Sequence, residues 1–134
     1  MSITYKKGYK YQLKENYSVD VGILDYSFDS AYISLDAKGI LTIKKGYAWD
    51  GPSGPTIDTK NFMRGALVHD ALYQLMREHV LPITLRNVAD FIMYKFCLED
   101  GMTKLRAWYC YQAVKQFGEK SATERGGYPL ITAP

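Results

Sequence analysis

The sequence predicts an α+β chain, with a small N-terminal antiparallel β-sheet followed by a three-helix C-terminal half. Three observations carry this. Up to about residue 48, β-branched and aromatic residues recur with partial alternation. From residue 60 onward, apolar residues recur at steps of three and four. Between the two runs Gly46 to Thr56, rich in Gly and Pro. A chain of 134 residues has room for one core and reads as a single domain, 1–134. Its parts are a β-rich segment 1–48, an irregular loop 49–59, three helices in 60–118 and an irregular tail 119–134.

The strand candidates are Ile3–Tyr5, Tyr9–Leu13, Tyr17–Ile23 and Ala31–Leu35. Asp36-Ala37-Lys38-Gly39 is a turn signal, and Ile40–Ile43 resumes as a strand, so residues 31–44 read as one hairpin. Phe62, Ala66, His69, Tyr73 and Met76 then fall on one face of a helix over 60–77, with Asp58 or Thr59 as its cap. Pro82 punctuates the next connection. Thr84 is the expected N-cap of a helix to about Glu99 that Gly101 ends, and Thr103 that of a third helix stopped at Gly118.

Composition narrows the function. The formal net charge is +3, with no run of Lys or Arg, which argues against a nucleic-acid partner. Cys97 and Cys110 have no CxxC partner for zinc and read as small buried apolar residues. The first residues contain no apolar signal core, and no apolar run approaches the ~20 residues of a membrane helix. The expected site of action is the cytosol. The 12 Tyr and 2 Trp make an amphipathic surface available for a membrane.

Two features carry chemistry. The first is the stretch Gly46 to Thr56, whose single acid is Asp50 and which can turn backbone carbonyls toward a cation or N–H groups toward an oxyanion. The second is His69-Asp70, where His69 lies on the apolar face and Asp70 at its border. A second acid, Asp90, also sits among apolar residues, with Ala89, Phe91, Met93 and Tyr94. In an antiparallel helix pair bent near 78–83, His69 and Asp90 lie about 12 and 9 Å from the bend at ~1.5 Å per residue. They can therefore face one another, and a carboxylate opposite an imidazole fixes its tautomer and raises the basicity of the far nitrogen. His79, near a helix end, reads as a surface or capping residue.

The motifs Gly46-Tyr-Ala-Trp-Asp50-Gly51-Pro-Ser53-Gly54-Pro, His69-Asp-Ala-Leu-Tyr73 and Arg86-Asn-Val-Ala-Asp90-Phe together resemble a phage- and prophage-encoded family of unassigned function. That family carries a GF-x-x-DG-x-S-x-P loop, an HD-x-LY helix and an AD-x-x-F helix. The resemblance implies a phage source, and with it the host cytoplasm or the virion. Locally, His69-Asp70-Ala-Leu-Tyr73 is similar to the HD-x-x-Y helix of secreted phospholipases A2. That likeness implies His69 as the general base for water and Asp70 and Asp50 as calcium ligands. It implies Asp90 and Tyr73 behind the imidazole, with Gly51, Ser53 and Gly54 shaping the calcium loop. The chain departs from those enzymes in lacking a Cys pair ahead of the His and in carrying Trp49 and Pro52 in the loop.

The expected function is a metal-assisted hydrolase of esters, phospholipid among them, with His69 and Asp90 as the catalytic pair and Ca²⁺ or Mg²⁺ as the hard cation. The competing expectation is a phage structural or host-interaction protein in which the same polar residues form a structural network. An imidazole sealed by protein favours the network, and one open to a cleft favours the base.

Overall fold

The computed structural model describes residues 5–8, 10–49 and 60–123. They fall into two compact units, one within residues 2–50 and the other within residues 51–129.

The first unit is all β. Its strands are β1 (Tyr5–Gly8), β2 (Lys10–Leu13), β3 (Tyr17–Asp20), β4 (Phe28–Asp29), β5 (Ile33–Leu35), β6 (Ile40–Ile43) and β7 (Ala48–Trp49). They form two antiparallel sheets where the sequence suggests one, a three-stranded sheet ordered β1-β2-β7 and a four-stranded sheet ordered β3-β6-β5-β4. The expected 31–44 hairpin is β5–β6, with Ile33 opposite Ile43 and Leu35 opposite Leu41, all four buried. Its turn closes as the residue types require. Asp36 Oδ1 accepts from the Lys38 and Ile40 amides at 2.9 and 3.0 Å, and Gly39 takes φ 89°.

Strand β7 corrects the reading of Gly46 onward as wholly irregular. Ala48 and Trp49 pair with Gln12 and Tyr11, and the Leu13 amide donates to the Tyr47 carbonyl at 2.9 Å. Trp49 is buried, its ring 5.5 Å from that of Tyr11, and aromatic burial in this strand outweighs the turn-forming composition of its neighbours.

The second unit is three helices, α1 (Lys60–Arg77), α2 (Arg86–Glu99) and α3 (Lys104–Thr123). Helix α1 has the expected bounds but not the expected single buried face: from Phe62 to Arg77 every side chain but Asp70 is buried. It packs against both α2 and α3, as a helix apolar on most sides does. One of its two buried cations, Arg64, forks onto the Asp100 carboxylate at 3.0 and 3.1 Å and reaches Glu99 at 2.9 Å. At Gly65 a β-carbon would stand 2.9 Å from Cys97 Sγ and 3.0 Å from the Met93 carbonyl oxygen.

Helix ends follow local chemistry. His79 stands at φ 64° just past α1, with its amide on the Met76 carbonyl and the Val80 amide on that of Leu75. This is a left-handed helix close in which His79 takes the place usual for glycine. Gly101 does the same for α2 at φ 99°, with Gly101 on Leu98 and Met102 on Cys97. Thr103 Oγ1 accepts from the Arg106 amide at 3.3 Å and caps α3 as expected. Thr84 does not cap α2: it lies in a 3-10 turn, Ile83–Leu85, and α2 begins after it without a side-chain cap. Helix α3 runs past Gly118 to Thr123, so residues 119–123, expected to be irregular, are helical; one glycine costs a helix only about 1 kcal/mol. Asp58 and Thr59 lie outside the described residues.

Candidate active site

Helices α1 and α2 bring three side chains of the sequence-predicted site together. His69 and Tyr73 are one turn apart on α1, and Asp90 is one turn into α2. His69 Nε2 lies 2.7 Å from Asp90 Oδ1, and the Tyr73 hydroxyl donates to the same oxygen at 2.6 Å. The His69 and Tyr73 rings lie 4.1 Å apart between centroids, tilted by 32°. Asp90 is fully buried, and 10% of the His69 side chain is exposed.

The arrangement fixes the imidazole. A carboxylate oxygen only accepts, so Nε2 carries the proton and Nδ1 is the nitrogen left to take one. Asp90 Oδ2 has no hydrogen-bond partner among the described residues. Among the described residues, His69 and Tyr73 at Oδ1 are the groups that offset burial of this carboxylate. Burial, and then the Asp90 carboxylate it donates to, push the Tyr73 phenol well above its ordinary range. Tyr73 therefore remains a hydrogen-bond donor across the working pH range. The positive charge of Arg86, one turn before Asp90 on α2, acts in the opposite sense on the Tyr73 proton, and its guanidinium donates to the Lys115 carbonyl at 3.1 Å.

Arg86 is the neighbour of the trio that the sequence reading did not place at the site. Its signal was the four-residue spacing from Asp90, which puts both on one helix face. Asp70 is half-buried on α1 next to His69. Asp50, Gly51, Ser53 and Gly54 lie outside the described residues. Among the described residues, no group of three or more His, Cys, Asp or Glu side chains is placed to hold a metal ion. His79 is exposed and takes no part in the site, in keeping with a capping residue. Cys97 and Cys110 are free and buried, and burial raises both thiols, Cys97 to about 12.

No helix among the described residues is long and apolar enough to cross a membrane. No curated protein and no solved structure matches the chain. A family model described as "Protein of unknown function (DUF1353)" matches residues 26–114, from the approach to β4 through most of α3 and across His69, Tyr73 and Asp90. The match takes in well over half of the chain, and the protein belongs to this family of unknown function.

Proposed function

We propose that the chain is a phage-encoded hydrolase of esters, phospholipid esters among them, in which His69 Nδ1 is the general base. The observation that supports this reading is the 2.7 Å contact between His69 Nε2 and a wholly buried Asp90 carboxylate. Asp90 acts through His69: it holds the Nε2–H tautomer and stabilises the imidazolium that forms when Nδ1 takes a proton from water. Tyr73, locked as a donor, keeps Oδ1 in place and limits its basicity. The partner chemistry is an ester and a water molecule, with the host cytoplasm or the virion as the place of action.

A hard divalent cation, Ca²⁺ or Mg²⁺, belongs to the same reading. Asp70, partly buried and next to His69 in sequence, supplies the hard oxygen chemistry such an ion takes, and Asp50 is the second acid that would hold it. When bound, the ion supplies positive charge to a developing oxyanion.

One observation favours a second reading: with nine-tenths of the His69 side chain covered, the trio also suits a non-enzymatic phage protein in which it locks α1 to α2. His69→Asn separates the two, because Asn still hydrogen-bonds Asp90 but is no base. The hydrolase reading expects ester hydrolysis to fall ~10²-fold or more, with stability changed by no more than about 1–2 kcal/mol. A wild type inert on esters and on phospholipid vesicles, with millimolar calcium present, would leave the structural reading standing. A variant as active as the wild type would remove His69 from the chemistry.

A further inference from the structure

Large apolar side chains left exposed are unevenly distributed. Among the described residues, Leu24 is the one that belongs to the β unit, and the others lie between residues 83 and 109 of the helical unit. On α3, Leu105, Trp108 and Tyr109 are 79%, 54% and 47% exposed. They stand at i, i+3 and i+4, on one face, while Ala107 and Cys110 bury the opposite face in the core. The surface continues onto α2. Tyr111, three residues beyond Trp108, has its ring 6.3 Å from that of the exposed Phe91.

This surface is also predominantly cationic, with Glu99, 54% exposed and paired with Arg64, as its exposed acid. Residues 83–116 contain five cations, Arg86, Lys95, Lys104, Arg106 and Lys115. Lys104 is one turn before Trp108, Lys95 one turn after Phe91, and Lys115 Nζ lies 5.2 Å over the Tyr111 ring. The acids of the same stretch are Asp90, Glu99 and Asp100. Asp90 is buried, and Arg64 binds the other two.

We propose that the α2–α3 face docks on an anionic lipid surface. Leu105, Trp108 and Tyr109 enter the headgroup boundary, and Lys95, Lys104 and Lys115 meet the phosphates. The composition selects lipid over a protein partner. Trp and Tyr flanked by lysines are the pattern of a side that lies on a membrane, whereas lysine is depleted from protein interfaces. The inference deepens the ester-hydrolase reading, on which it rests for its meaning, by naming the phase in which the ester is presented.

The test is sedimentation of the full chain with vesicles of ether-linked phosphatidylcholine, with and without ether-linked phosphatidylglycerol, so that no ester is cleaved. Binding should require the anionic lipid, fall at least tenfold between low and 0.5 M salt as charge is screened, and shift Trp emission to the blue. Trp108 carries that shift, since Trp49 is already buried. The pair Leu105→Ser with Trp108→Ser, and the pair Lys104→Glu with Lys115→Glu, should each weaken binding at least tenfold while circular dichroism and hydrolysis of a soluble ester are unchanged. No binding at low salt, or full binding by the Leu105→Ser, Trp108→Ser variant, would overturn the proposal. So would binding to an acidic polypeptide but not to vesicles. His69→Asn should bind as the wild type does. A chain that binds vesicles but hydrolyses nothing refutes the hydrolase reading alone, and one that hydrolyses soluble esters but ignores vesicles refutes the docking face alone.

Discussion

Gly65 on α1 lies against the Met93 backbone of α2: a β-carbon on Gly65 would stand 3.0 Å from the Met93 carbonyl oxygen. Gly65 is one turn before His69, and Met93 is three residues after Asp90. The contact that lets the two backbones meet is therefore adjacent to the contact that pairs imidazole and carboxylate.

Gly65→Ala should destabilise the protein although alanine is the better helix former. The propensity gain is about 1 kcal/mol, and overpacking against backbone costs about 1–3 kcal/mol. Urea unfolding should show a net loss of up to about 2 kcal/mol. A gain in stability would mean that the helices separate freely at this point.

Tyr73→Phe removes one of the two donors to Asp90 Oδ1 and leaves the ring in place. A hydrogen bond to a charged group contributes about 1.5–3 kcal/mol, and the loss should fall in that range by thermal or urea unfolding. A neutral result would show that Asp90 is held adequately by His69 alone.

Alkaline pH should weaken the fold through Cys97, whose thiol is raised from 9.0 to about 12 by burial and then by the neighbouring Cys110 and Asp100. Below pH 9 the thiol is neutral in both states, and its contribution is fully present. Between pH 9 and 12 the unfolded chain loses the proton and the folded chain keeps it. Stability therefore falls with rising pH, by up to about 1.4 kcal/mol per unit. Cys110 and Tyr73, both raised, act in the same direction. Unfolding free energies across this window should fall less steeply for Cys97→Ala. Equal slopes would remove Cys97 as a source.

His79→Gly should stabilise. His79 is exposed and holds φ 64° at the close of α1, where glycine carries no β-carbon penalty. A gain of about 1 kcal/mol, seen as a rise of a few degrees in Tm, is expected. A fall would show that the imidazole makes a contact worth more than the backbone strain.

The helices were the more legible part of the chain because their signals are local. Steps of three and four residues give α1 its bounds, and Gly101 and Thr103 end one helix and begin the next. The His69–Asp90 pair was legible for the same reason, since helical phase and distance from the bend suffice to set two side chains facing. Strands β4 and β7, of two residues each, carry no periodicity. Strand β7 exists through pairing with β2, 36 to 38 residues earlier, which no local window contains, and β4 through a two-residue ladder to β5 too short to show alternation. The full burial of α1 was equally hidden, because Arg64, Gln74 and Arg77 read as a solvent face until their surroundings are seen. Arg64 finds its carboxylates 35 and 36 residues away.

The closed turn between α2 and α3 bears on the order of assembly. Both of its devices, the Gly101 close and the Thr103 cap, join residues no more than five apart in sequence. The α2–α3 hairpin is thus specified by short loops, whose closure is the least demanding in entropy. The trio of His69, Tyr73 and Asp90 exists only once α1 has docked onto α2. In refolding kinetics, substitutions at the turn should slow the forward rate, whereas substitutions at Tyr73 should mainly hasten unfolding. Competence of the site would then be acquired last, as the signature of the finished chain.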